Sequence, residues 1–273
     1  MTRSLRLTLA VATTAVAALA LSACSAGSTG GDDGTVTDGK LTIATGDPAY
    51  SPWIEDNDPE SGKGFESAVA YAVAKELGYE KSDVVWKRST FDSAIAPGPK
   101  DWDLNIQQFS IDAKRKKAVD MSTAYYTTTQ AVVTTTGSKA ADDTTIAALK
   151  QDAIGVATGS TSIASVKDTL GVTPQVFNSN DDAVLALQSG QIDAIVTDLP
   201  TAFYMAAAQL DDGTVSAQFP ADGDGDEFGF VLPKDSELTS KVDAALKSLD
   251  EDGTLEDLQT KWLSSETGTP VLK

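Results

Sequence analysis

The sequence predicts an α/β fold in two lobes, on three observations. Short β-branched runs alternate with segments of helical period from Lys40 onward. The second half repeats the style of the first. The body from residue 40 to residue 273, about 234 residues, exceeds the usual size of one domain.

Each element has its own signal. Leu41-Thr42-Ile43-Ala44 reads as a short strand. Phe65 to Leu77 reads as a helix, because Phe65, Val69, Val73 and Leu77 recur every four residues and Gly78 is a natural stop. Val84-Val85-Trp86 returns as a strand, and the turn Pro97-Gly98-Pro99 precedes another at Leu104-Asn105-Ile106. Ala131-Val132-Val133 is β-rich. Ala153 to Ala157 is a strand, and Gly159-Ser160-Thr161 opens a helix to about Leu170. Asn180 caps a helix that buries Val184 and Leu187 and ends at Gly190. Ile192 to Val196 is a strand ending at Thr197-Asp198. Phe228 to Leu232 is a strand, Leu238 to Leu249 an amphipathic helix, and Gly253 starts a last helix through Leu255, Leu258 and Trp262.

Composition excludes several functions. The 273 residues hold 21 Lys+Arg, 40 Asp+Glu, no His and one Cys. Without imidazole, Ser-His-Asp and Cys-His catalysis and the usual zinc sites are absent. One Cys forms neither an internal disulfide nor a CxxC site. A net charge of -19 argues against a nucleic-acid partner, which needs a basic face.

Residues 1–23 read as a signal peptide: Arg3 and Arg6 precede an apolar, Ala-rich run from Leu7 to Leu21. Leu21-Ser22-Ala23-Cys24 resembles a bacterial lipobox, which implies cleavage before Cys24, lipid on its sulfur, and export. The alternative is a small buried Cys that happens to follow the leader. Without residues 1–23 the chain carries 19 bases and 40 acids, a net of -21. Residues 24–39 then form a tether of Gly, Ser, Thr and Asp with too little apolar surface to order itself.

Seven blocks resemble the family 3 extracellular solute-binding proteins, the amino-acid receptors of ABC importers. They are Asp47-Pro48-Ala49-Tyr50-Ser51-Pro52-Trp53, Gly64-Phe65-Glu66, Ser110 to Lys116, Tyr125-Tyr126, Gly159-Ser160-Thr161, Gly190 to Asp198, and Asp252-Gly253-Thr254 ahead of Lys261-Trp262. Each block is common alone; their joint order is specific and covers 40–265. The resemblance implies a two-lobed periplasmic-binding-protein-like fold of type II, with a hinge and a ligand cleft between lobes. Lobe 1 would be 40–126 and 226–273, and lobe 2 would be 127–225, with Tyr125-Tyr126 and Ala221 to Asp226 near the hinges.

The same resemblance implies a site. An amino acid needs a cation and N–H donors for its carboxylate, and an acid with acceptors for its ammonium. Arg115 matches the carboxylate-binding arginine, a role its planar fork suits; the bland alternative is a solvated charge in the run Lys114 to Lys117. Ser160 and Thr161 would hold the carboxylate at a helix start, or simply cap that helix. Asp198 would hold the ammonium from a strand end, the alternative being a turn residue before Pro200. Ser110 would offer its hydroxyl, Tyr50 and Phe91 would sandwich the ligand side chain, and Asp47 could pair with a basic one. Trp53 lines the cleft or sits in the core. The chain departs from the family at Gln107-Gln108, where small residues are usual, and at Asp112, where Thr is usual; Gln108 joins the expected ligand set.

The expectation is therefore a lipid-anchored, monomeric receptor outside the membrane that binds a free amino acid, polar or basic, and hands it to an ABC permease. It is not an enzyme and needs no cofactor or metal; Asp222-Gly223-Asp224-Gly225-Asp226 lacks the rest of a calcium loop. Two other readings stay open. One is a sensing module for a membrane signalling partner. The other is a dehydratase or lytic enzyme on the same scaffold, with Asp198 or Glu66 as the acid.

Overall fold

The computed structural model describes residues 34–220, 225–263 and 269–273. The leader, Cys24 and residues 221–224 of the acidic run lie outside the described residues.

The first sheet contains β1 (Leu41–Thr45), β2 (Val84–Arg88), β3 (Leu104–Asn105), β4 (Asp120–Thr128) and the late strand β10 (Asp226–Leu232). The second contains β5 (Gln130–Thr135), β6 (Ile154–Ala157), β7 (Gln175–Phe177), β8 (Ala194–Asp198) and β9 (Gly213–Gln218). Their orders, β2-β1-β3-β10-β4 and β7-β6-β8-β5-β9, match in form. Each has three parallel strands, then an antiparallel pair formed partly by the crossover chain. Each sheet carries its own helices, so the architecture is two α/β lobes.

In the first lobe, α1 (Phe65–Glu76) follows the four-residue apolar period and buries Phe65, Val69 and Val73. Complete burial of such side chains contributes roughly 1.5–3 kcal/mol each. Gly78 ends the helix at φ 90°, a value that costs other residues a strained backbone. The short α2 (Phe91–Ile95) follows β2. On β10, Phe228, Phe230 and Leu232 face the α1 side, while Val231 faces the Ala94, Trp102 and Phe109 side. That alternation is the period of a strand buried on both faces.

In the second lobe, α3 (Ile146–Leu149), α4 (Ser162–Ser165), α5 (Asn180–Gln188) and α6 (Leu199–Tyr204) cover the sheet. The chain then returns to the first lobe for α7 (Thr239–Glu251) and α8 (Thr254–Leu263). The N-cap of α5 is Ser179, whose hydroxyl accepts the Asp182 N–H, rather than Asn180.

Both ends of the chain depart from the expected division. The tether stops short of Gly39, since Thr35 is buried and the Asp103 carboxylate accepts the N–H groups of Val36 and Thr42, each at 2.7 Å. At the other end, residues 269–273 leave the first lobe. Leu272 is buried in the second lobe's core among Val132, Leu149 and Phe219. Its N–H donates to Gln218 O at 2.8 Å, and Pro270 O accepts the Gln218 N–H at 2.8 Å. Lys273 O also accepts the Ile146 N–H at 3.1 Å, so apolar burial and three backbone bonds hold this strap in place. β4 also runs past the expected boundary at Tyr126 to Thr128.

Candidate functional site

A cavity of about 380 Å³ lies between the lobes. Its walls are the loops after the parallel strands β1, β2 and β3 on one side and β6, β7 and β8 on the other. Open α/β sheets hold ligands at those strand ends. All nine expected residues line it: Asp47, Tyr50, Phe91, Gln108, Ser110 and Arg115 from the first lobe, and Ser160, Thr161 and Asp198 from the second.

Arg115 begins a single 3-10 turn whose entry is fixed by Asp112, the carboxylate of which accepts the Arg115 N–H at 3.1 Å. The side chain is buried. Its Nη1 donates to Ser110 O at 2.6 Å, and its Nη2 donates across the cleft to Gly159 O at 2.8 Å. The guanidinium also lies 5.3 Å from the centre of the Phe91 ring, which packs on Phe109 at 4.8 Å. Burial lowers the Arg115 pKa, and the charges of Asp112, Asp226 and Asp198 oppose that shift.

Asp198 ends β8. Burial pushes its carboxyl up to about 8, the Asp226 charge adds to the rise, and Gln130 and Arg115 oppose it. Gln130 Nε2 donates to Asp198 Oδ1 at 2.7 Å. Neither Ser160 nor Thr161 caps the following helix with its side chain. The Ser160 hydroxyl donates to Ala157 O at 2.7 Å, and the Thr161 hydroxyl donates to Asp226 Oδ2 at 2.7 Å.

Glu66, in the first turn of α1, is fully buried. It accepts the Gln108 N–H at 2.7 Å, and both the Gln108 amide and the Tyr125 hydroxyl donate to it. These bonds hold Gln108 at φ 48°, in the left-handed region a non-glycine residue rarely occupies. Burial raises the Glu66 carboxyl to about 7 against the pull of those donors. Gln107 also lines the cavity, and its Oε1 is buried without a hydrogen-bond partner.

At the far end, the Tyr50 hydroxyl donates to Asp181 of α5, and Gln209 Nε2 donates to the other Asp181 oxygen at 2.8 Å. Burial, then the Asp181 bond, raises the Tyr50 pKa. Trp53 is both core and cavity wall: its ring packs on Phe65, Tyr126 and Phe228, while its Nε1 donates across the cleft to Thr201 Oγ1 at 3.1 Å. Sequence reasoning missed Asp181, Gln130 and Asp226 as site residues. Asp181 had one available signal, its place in the first turn of a helix after a strand.

The family description "Bacterial extracellular solute-binding proteins, family 3" matches residues 41–265. The chain belongs to this family. The arginine-binding extracellular protein ArtP of Bacillus subtilis is 30% identical over 252 residues, covering 90% of this chain and 94% of ArtP. The glutamate-binding protein GluB of Corynebacterium glutamicum is 29% identical over 277 residues, covering 94% of this chain and 92% of GluB. Among solved structures, the arginine-, lysine-, histidine-binding protein ArtJ of Geobacillus stearothermophilus aligns with a TM-score of 0.68 at 25% identity, over 83% of this chain and 96% of that one. AncCDT-1, an ancestral amino acid-binding protein and precursor of cyclohexadienyl dehydratase, aligns with a TM-score of 0.65 at 29% identity, over 82% of this chain and 95% of that one.

The two-lobed α/β fold expected of a family 3 solute-binding protein is what the chain adopts. Among the described residues, no helix is long and apolar enough to cross a membrane. The family's cleft also makes a stability prediction in this chain. Asp198 and Glu66 both prefer the proton when folded, against ordinary values of 3.8 and 4.5. Their contribution is complete below those ordinary values and is lost as pH rises toward about 8 and about 7. The ligand-free protein should therefore melt at a lower temperature at pH 8 than at pH 5.5. Glu66→Gln should flatten part of that slope; an unchanged slope would show that Glu66 does not cause it.

Proposed function

We propose that the protein is an extracytoplasmic receptor that closes its two lobes around a free amino acid, preferably one of net positive charge, and passes it to an ABC importer. One observation carries this reading: Arg115 and Asp198 stand on opposite lobes at one end of a cavity of amino-acid size. Arg115 takes the α-carboxylate in bidentate fashion. Asp198, with Ser110, takes the ammonium. The Phe91 and Tyr50 rings then flank the side chain.

The preference for a cation follows from the walls. Arg115 is the one base among the lining residues, and the acids left to face a ligand side chain are Asp47 and Asp181. Asp47 and Asp181 stand around Tyr50, where a side-chain cation would end. The free Gln107 Oε1 adds an acceptor for a donor-rich group. ArtP and ArtJ, whose names record arginine and basic amino acids, favour the same class. Lipidation of Cys24 after leader removal would hold the receptor, as a monomer, at the outer face of the cell membrane.

Titration calorimetry with arginine, lysine, histidine, glutamine, glutamate and cystine tests this. A basic amino acid should bind tightest, with glutamate at least about tenfold weaker, a difference of roughly 1.4 kcal/mol. Absence of heat with all six, or glutamate binding tightest, refutes the reading. The dehydratase alternative is favoured by one observation, two cavity carboxyls that hold protons near neutrality. Turnover of a hydroxylated substrate by purified protein would establish it.

A further inference from the structure

We propose that Asp226 is a positioning residue for the charged end of the cavity, setting the direction of its hydroxyl groups and joining both lobes at one oxygen. The inference rests on the amino-acid reading above. Asp226 opens β10, where the second crossover re-enters the first sheet. It acts from behind the cavity wall, as it is not among the lining residues. Its Oδ2 accepts from Ser110 Oγ of the first lobe at 3.1 Å and from Thr161 Oγ1 of the second at 2.7 Å. A third donor is Gln130 Nε2, on the first crossover, at 3.2 Å. Gln130 Nε2 is shared with Asp198 Oδ1, and Gln130 Oε1 accepts the Ser162 hydroxyl at 2.6 Å, which fixes which way the amide points.

A hydroxyl has one proton and two lone pairs. The Thr161 proton goes to Asp226 Oδ2, and the single Ser110 proton is shared between Asp226 Oδ2 and Thr161 Oγ1, each 3.1 Å away, so both hydroxyl oxygens keep a lone pair for the cavity. The Thr161 hydroxyl is then not the carboxylate donor that the family resemblance implies; it serves the ammonium side instead. Neutralising Asp226 releases those protons.

The charged groups around this end are few. Asp198 faces Asp226 and Arg115, the Tyr125 hydroxyl feels Asp198, and Arg115 also feels Asp112. The Asp226 charge is the cause, second to burial, that keeps Asp198 protonated near neutrality, and the Gln130 donor acts the other way. Two substitutions should therefore move Asp198 in opposite directions. Asp226→Asn preserves size and an acceptor oxygen while removing the charge. Gln130→Met removes the shared amide and keeps both carboxylates.

The test is the titration of the Asp198 carboxyl carbon by NMR in the ligand-free protein, paired with calorimetric affinity for arginine from pH 6 to pH 9. Wild type should titrate near 8. Asp226→Asn should titrate at lower pH and Gln130→Met at higher pH. Because an ammonium needs Asp198 ionised, wild-type affinity should fall by up to about tenfold per pH unit below its midpoint. The loss in Asp226→Asn, on the order of tenfold at pH 9, should shrink as pH falls. A superimposable Asp198 titration in both variants, with an affinity ratio independent of pH, overturns the proposal and leaves Asp226 a structural bond. If no amino acid binds wild type, the receptor reading fails, yet the two titrations still decide whether Asp226 and Gln130 set Asp198. Should Asp226→Asn not fold, Gln130→Met alone carries the decision.

Discussion

Arg115→Ala should abolish amino-acid capture while leaving a folded protein. The guanidinium already stands between the lobes, donating to Ser110 O on one side and Gly159 O on the other. A bound α-carboxylate would take its remaining donors as charge-assisted bonds, about 1.5–3 kcal/mol each. Losing two such bonds costs about 3–6 kcal/mol, or roughly two to four decades in Kd. Alanine also removes the bond to Gly159, which links the two lobes. Arg115→Lys should recover part of the affinity, since a single point charge reaches one partner rather than two. Lys117→Ala, in the same basic run but exposed, should bind as wild type does. Calorimetry across the three variants checks the set, and an Arg115→Ala protein that binds normally would remove Arg115 from the site.

Gly64→Ala should cause the largest loss of stability among single methyl additions near the cavity. Gly64 caps α1 at φ 95°. A Cβ there would lie 2.4 Å from Trp53 O and 2.7 Å from the Ile54 Cα, both backbone atoms that cannot swing aside. The contact is close because Pro52 O and Trp53 O accept the Phe65 and Glu66 N–H groups, at 2.9 and 3.0 Å, which satisfies the free donors of the helix start. Strained φ and backbone overlap together should cost roughly 3–5 kcal/mol. For a chain of this size that lowers the melting temperature by about 10 °C. The displaced loop carries Asp47 and Tyr50, and the displaced helix turn carries Glu66, so ligand affinity should fall as well. A melting temperature within a degree of wild type would refute the steric argument.

How much of this was legible in the chain itself follows from the range of each interaction. Phe65, Val69 and Val73 announce α1 because helical period is a local property, and Gly78 announces its end. β4 escaped notice because its Ser and Thr residues break the apolar pattern, although Ser122 and Thr128 are buried beside Met121 and Tyr125. Seven of the nine expected site residues sit on blocks whose order and spacing are themselves readable, and Phe91 and Gln108, outside those blocks, line the same cavity. What could not be read were the pairings across the cleft. Tyr50 meets Asp181 at a separation of 131 residues, and Gln130 meets Asp198 and Asp226 at separations of 68 and 96. No local pattern marks such partners. Polar residues that look like a lone amide in a strand or one acid in a loop acquire meaning only when two lobes meet.

The two anchored ends of the described chain rest on different bodies. Thr35 and Val36 are fixed to the first lobe by burial and by Asp103, while Leu272 is fixed to the second beside Gln218. The distance between residues 34 and 273 is thus a natural gauge of the cleft. A donor dye near residue 34 and an acceptor at Lys273 would ride on opposite jaws, and their energy transfer would report ligand-driven motion without any label entering the cavity. A fluorescent protein fused after Lys273 would report on the second lobe, whereas the same fusion to a chain ending at α8 would report on the first.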